Sequence, residues 1–252
     1  MNSIESYEKA LINMSPKQWP AFLVEHAFVS GNKINIELAE TFARVGTLMD
    51  FKRFVRIDHI EAPEGTAEAF LTYCGVLGYG RYLSKYYDQG LLNQLRECAN
   101  DPRLTTRKAV LNALRYIGRN NFHRLIEYTA EWITGTPLEQ RASLAAVCCA
   151  ELLKDQESVL EVLELLEWVT ATFVGDFEWN HDYKVLQDEV ARCWARVVAD
   201  NPVKGKQKME RWMKEEHPMV KTIMKKSLLN DSLQTCEHQW ANEWLGKVRK
   251  IN

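Results

Sequence analysis

Glycine and proline are scarce in this chain, at 12 and 7 of 252 residues. An all-β protein of this length needs many tight turns, so the shortage excludes that architecture and leaves long helices joined by short connections. No apolar run approaches the ~18 residues of a membrane span. Residues 1–9 carry acids where a secretory leader needs a basic start. A cytoplasmic protein with no membrane partner is the expectation. The six cysteines, Cys74, Cys98, Cys148, Cys149, Cys193 and Cys236, contain no Cys-x-x-Cys pair and mostly lie in apolar helical patterns. They read as reduced, buried thiols.

Catalytic motifs are missing too. There is no Gly-x-Ser-x-Gly elbow and no cysteine in a polar, electropositive setting, so nucleophilic catalysis has no support. Gly75, Gly78 and Gly80 lie inside a helical pattern, whereas a dinucleotide fingerprint wants its glycines between a strand and a helix. Glycines so placed let two helices approach closely. Asp58-His59 and His181-Asp182 lack a second histidine at helical spacing, so neither a metal nor a cofactor is expected.

What is present is globular, with 46% hydrophobic and 26% charged residues. Apolar residues recur at helical spacing through most of the chain. Residues 4–14 form a first helix; Ser15 and Pro16 are expected to start a second, closed by Gly31-Asn32; residues 35–49 and 51–60 follow as helices. In the latter, Phe51, Lys52, Arg53, Phe54 and Arg56 interleave aromatics with bases, a pattern shared by nucleic-acid surfaces and by amphipathic helices with arginines on the wet side. Residues 66–85 and 91–99 then form a helix pair.

The most regular stretch is 101–133, read as two antiparallel helices, 101–118 and 121–133. Its outline recurs. Aligning Arg107 with Arg141 sets Val110 over Leu144, Ala113 over Val147 and Leu114 over Cys148; residues 183–199 add Val190, Cys193, Trp194 and Val197 in the same register. Partner helices follow at 157–173 and 203–214, a fourth unit opens at His217-Pro218, and a last helix spans about 237–248.

Asp101-Pro102 followed by Arg107, Ala109-Val110, Ala113-Leu114 and Gly118, with the weaker His217-Pro218-x-Val220-Lys221, resembles the first helix of a HEAT repeat. The resemblance implies an all-α protein, a right-handed α-solenoid of HEAT-like helix pairs with a concave face. It would be one domain, 1–252, with an irregular helical cap at 1–62 and repeats at 63–252. It implies no chemistry, since the repeat's defining residues are packing residues.

Candidate binding residues sit where the chain departs from the repeat. The insertion 175–183 holds acids, aromatics and a histidine: either Asn180 or Asp182 caps the next helix with Phe177 and Trp179 packed down, or Trp179, His181 and Asp182 line a ligand pocket. Charge is also uneven behind the formal net of −2: residues 155–189 hold ten acids and one lysine, residues 200–226 eight bases and four acids. Lys204, Lys208, Arg211, Lys221 and Lys225 are the binding candidates of the latter segment, as a solvated helix face or a phosphate-binding patch. Two functions follow. One is an interaction or scaffold module that binds a protein partner on its concave face. The other rests on similarity to the alkylpurine DNA glycosylases built from HEAT-like repeats. It would bind DNA through the segment 204–226 and cast Asp182, Trp179, Arg211 and Trp212 in catalytic roles.

Overall fold

The computed structural model describes residues 3–31, 33–153 and 155–249. It is helical apart from one two-stranded hairpin among these residues. Contacts divide the chain into two compact units, Met1–Asn121 and Phe122–Asn252. The first comprises α1 (Ser3–Asn13), α2 (Trp19–Glu25), β1 (Phe28–Val29), β2 (Lys33–Ile34), α3 (Ile36–Val45), α4 (Leu48–Val55), α5 (Ala69–Leu83), α6 (Gln89–Ala99) and α7 (Leu104–Asn120). The second comprises α8 (Phe122–Thr129), α9 (Pro137–Val147), α10 (Gln156–Ala171), α11 (His181–Asp200), α12 (Pro202–Trp212), α13 (Pro218–Leu228), α14 (Asp231–Cys236) and α15 (His238–Arg249), with 3-10 turns at Ala130–Thr134 and Thr172–Val174.

The first unit is built around α5. Its sequence Ala-Phe-Leu-Thr-Tyr-Cys-Gly-Val-Leu-Gly-Tyr-Gly is apolar on every side, and a helix of that kind is stable only when surrounded. Every residue from Ala69 to Gly80 is buried, and α2, α3, α4, α6 and α7 pack on it. The glycines set the spacing. A Cβ on Gly78 would lie 2.4 Å from the Phe51 ring, one on Gly75 2.8 Å from the Phe51 carbonyl, and one on Gly80 2.4 Å from Ala113 Cα. The polar atoms of α5 are matched: the Tyr73 hydroxyl accepts from Asn112 (2.6 Å), the Tyr79 hydroxyl donates to Gln94 (2.8 Å), and the Thr72 hydroxyl donates to the Ile57 carbonyl (3.2 Å). Burial pushes the Tyr73 phenol up to about 12.

Arg103 ties the loop before α5 to the start of α7. Its side chain is almost fully buried, and its guanidinium bonds the Asp101 carboxylate at 2.9 and 2.7 Å and the carbonyls of Ile57, Asp58 and Ala62 at 3.1, 3.1 and 3.2 Å. A planar five-donor fork can serve this many acceptors at once; an ammonium cannot. The bonds also correct the expectation that Asp101-Pro102 opens the helix. The Asp101 carboxylate is occupied by the Arg103 N–H (2.8 Å) and guanidinium, so the helix begins at Leu104. Glu64, 41 residues away in sequence, caps it instead, accepting from the Thr105 N–H and hydroxyl at 3.0 Å each.

Other boundaries shift for local reasons. Ser15 and Pro16 belong to a turn, and α2 starts at Trp19. Gly31, at φ 75°, turns a hairpin rather than closing a helix; Asn32 lies outside the described residues. The expected helix 35–49 stops at Gly46. Thr47, whose N–H and hydroxyl both donate to Asp50, starts α4 there. Residues 56–60 leave the helix because the Asp58 carboxylate takes the N–H groups of Ile60 and Glu61, both at 2.8 Å.

The second unit is organised around α11, on which α9, α10, α12, α13 and α14 pack. Trp194 at its centre is fully buried, with its indole N–H on the Thr170 hydroxyl at 2.9 Å. Gly205 of α12 admits Val198, whose Cα would stand 2.8 Å from an added Cβ. The aligned positions Val110, Leu144 and Val190 are all fully buried, as are Ile117 and Val197, and Ala113, Val147 and Cys193 nearly or fully so; Cys148 is half-buried, as are Arg107 and Arg141. Helices packing in series, α3 on α5 and α5 on α7, then α9 on α11 and α11 on α13, recur in both units. The boundary between units falls at Asn121, between the two helices of the stretch 101–133.

Two outcomes follow for stability. Gly80→Ala is expected to cost about 2 kcal/mol or more through overpacking against Ala113, whereas Gly246→Ala, with nothing within 4 Å of its Cβ, should be neutral or slightly stabilising. Arg103→Lys should cost about 3 kcal/mol, because it weakens the hold on the buried Ala62 carbonyl and loses half of a bidentate pair. Denaturant unfolding of each variant measures both.

Candidate interaction surfaces

The insertion before α11 is a capped turn with an aromatic underside. Asn180 is the N-cap, its carboxamide accepting from the N–H groups of Asp182 (2.9 Å) and Tyr183 (3.1 Å). Phe177 stacks on Tyr183, 4.3 Å between centroids, and meets the fully buried Phe173 edge-on at 5.9 Å. Trp179 only tilts against Phe177 at 6.3 Å and remains 42% exposed. His181 is exposed, and Asp182 is half-buried in the first turn of α11. A carboxylate there is favoured by the helix dipole.

Three bases of the basic segment meet acids of the acidic one within the second unit, and two more pair with acids outside the acidic segment. Lys208 pairs with Glu167, and Arg211 stands 3.8 Å from the same carboxylate. Lys226 pairs with Asp188 at 2.6 Å, Lys206 with Glu237, and Lys221 with Glu216. Lys204 and Lys225 are exposed and form no ion pair among the described residues. Arg211 and Trp212 line a groove of about 420 Å³ whose other walls are Glu164, Glu167, Trp168 and Ala171. Trp179, His181 and Asp182 are not in that lining, so the residues of the glycosylase-like assignment are not gathered around this groove. Trp168, 68% exposed, went unnoticed in the sequence. The signal was its place on the face of α10 that carries Glu157, Glu161 and Glu164.

The largest of the grooves described is in the first unit, about 980 Å³ beside α4. Its apolar lining is Pro20, Met49, Phe54, Ile57 and Leu71, and Lys52, Arg53 and Arg56 supply its bases. Phe51 and Phe54 are 4% and 1% exposed, so the interleaved segment resolves into a buried aromatic side and a wet basic one. A smaller, more polar groove of about 380 Å³ joins Asp58, His59 and Glu97 to Asp101 and Arg103, the last two already bonded to each other.

Thiol chemistry finds little purchase. Burial raises the Cys98 thiol to about 12 and pushes Cys74 and Cys193 upward as well. Cys148 and Cys149 are half-buried, and Cys236 is exposed, contrary to the expectation for that position. Among the described residues no group of three or more histidine, cysteine or carboxylate side chains converges as a metal site would require, and no helix is long and apolar enough to cross a membrane. Compared with known proteins, the chain matches no family model, no curated protein and no solved structure.

The acidic segment also carries a pH dependence. The Ser158 N–H, then its hydroxyl, hold the N-cap carboxyl of Asp155 below its ordinary value, and the N–H groups of Glu61 and Ile60 do the same for Asp58. A carboxyl lowered by folding stabilises the native state fully above its unfolded value, about pH 4, and that stabilisation is lost as pH falls through the lowered value. The denaturation midpoint should therefore fall as pH is lowered below about 4. In Asp155→Asn, which keeps the capping oxygen without the titration, the fall should be shallower; an unchanged acid limb would remove Asp155 as a contributor.

Proposed function

We propose that this chain is a non-catalytic interaction module of HEAT-like helix pairs that binds a protein partner. The observation that carries the reading is the groove beside α4, where apolar lining lies together with three bases that form no ion pair among the described residues. Chemistry-bearing residues elsewhere serve the scaffold: Asp101 holds Arg103, Asp58 closes a turn, and the thiols of Cys74, Cys98 and Cys193 are buried and poorly ionised. The serial packing of helices and the burial of the aligned positions support the repeat assignment, and with it the solenoid reading of the fold. Trp179, Lys204 and Lys225 are further surface residues open to a partner.

The experiment is crosslinking of the full chain in extract with identification of what it captures, run beside DNA binding across a salt series. A specific protein recovered at physiological salt, with no steep salt-dependent DNA binding, is expected. Bases already paired with internal carboxylates have few counterions to release. Tight duplex binding that falls steeply with salt, together with release of methylated purine that Asp182→Asn abolishes, would replace this reading with the glycosylase-like one.

A further inference from the structure

Most of the bases that dominate the sequence are spent within their own unit, Lys204, Lys214 and Lys225 excepted. Between 204 and 226, Lys206, Lys208, Lys221 and Lys226 each meet a carboxylate of their own unit. On α4 and just after it, Lys52, Arg53 and Arg56 form no ion pair among the described residues. Of the two acids in the same groove, Asp50 already accepts from the Thr47 N–H and hydroxyl. Arg53 lies over the Phe54 ring, 4.9 Å from its centroid, so its stem and plane rest on the apolar wall while its charge stays at the surface. Beside these bases Met49 is 76% exposed and extends the apolar lining of the groove to the surface.

A ligand for this groove needs two properties in register: an apolar side to cover Met49 and the wall behind it, and carboxylates alongside for the three bases. Nucleic acid supplies the negative charge and base faces for stacking, but no aliphatic side. The rings of Phe51 and Phe54 are buried and offer no stacking platform, and an apolar wall gives nothing to a phosphate backbone. A helix with apolar residues spaced three or four apart and acids flanking them has both properties. We propose that the groove beside α4 binds an acidic amphipathic helix of a partner protein, its apolar side on Pro20, Met49 and Ile57 and its carboxylates on Lys52, Arg53 and Arg56. This assignment rests on the interaction-module reading and gives its partner a chemistry.

An unbiased probe tests it: a displayed library of random peptides, roughly 16 residues long so that one helical face can fill the groove, selected on the full chain. Selected peptides should be rich in Asp and Glu around apolar pairs at helical spacing. Their binding should weaken about tenfold in the double variant Arg53→Glu with Arg56→Glu, weaken less with Gln at both positions, and weaken with added salt. Lys204→Glu with Lys225→Glu should leave it unchanged. All four side chains are exposed, so folding is expected to survive and circular dichroism checks it. Absence of enrichment, enrichment of acid-free peptides, or equal binding to the charge-reversed chain overturns the proposal. So does a single-stranded oligonucleotide or a second copy of the chain that binds through Arg53 and Arg56 in place of peptide. If the library fails while crosslinking recovers the same partner with wild-type and charge-reversed chains, the groove assignment falls and the module reading stands.

Discussion

The first unit depends on one constraint: α5 has no polar side and must be enclosed. Enclosure by five neighbours demands close approach. The helix achieves it by omitting Cβ atoms at Gly75, Gly78 and Gly80, where Phe51 and Ala113 press in. Glycine in a helix interior costs roughly 1 kcal/mol of intrinsic stability per residue, and burial on all sides offsets it. The neighbours inherit the constraint. Asn112 and Gln94 are fixed because Tyr73 and Tyr79 need partners, and Arg103 is fixed because the loop entering α5 turns the carbonyls of Ile57, Asp58 and Ala62 toward one guanidinium. In the second unit α11 plays the same part with a different device, a buried Trp194 whose indole N–H is satisfied by Thr170.

Charge distribution follows from the same economy. A chain with formal net charge −2 can look strongly polarised in sequence because acids and bases are collected on different helices. Folding brings Glu167 to Lys208 and Arg211, and Asp188 to Lys226, so much of the contrast is spent inside the unit. Exposed pairs of this kind add little stability. Their effect is on the field: a lysine held beside a carboxylate attracts a distant anion less than its count implies. The three bases near α4, fewer in number, form no ion pair among the described residues, although Asp50 and Glu61 line the same groove.

Much of the helical architecture was legible because periodicity and local caps are sequence properties. The cap before α11 narrowed to Asn180 or Asp182, the start of α12 to within a residue, and the register linking Val110, Leu144 and Val190 could be read directly; the close-approach role of the α5 glycines followed from their setting. The errors share a cause. Asp101 looked like a helix start but was claimed by Arg103, and the cap came from Glu64 across the fold. Asp58 ended a helix that periodicity would have continued, and α14 was too short for a period to register. The candidate site was less legible. The basic segment 204–226 drew attention by number, whereas the groove beside α4 depends on Pro20, Met49 and Leu71, which are scattered in sequence and share no motif.

The sequence by itself determined that the chain is helical, where most helices run, and which residues are apolar enough to be buried, because each depends on neighbours a few positions away. Only the tertiary structure decided which helix sits at each centre, that the chain divides at Asn121, which carboxylate neutralises which base, and which apolar residues stay uncovered. Those outcomes turn on distances between side chains far apart in sequence, and a pairing such as Glu64 with Thr105 leaves no periodic trace in the residues between them.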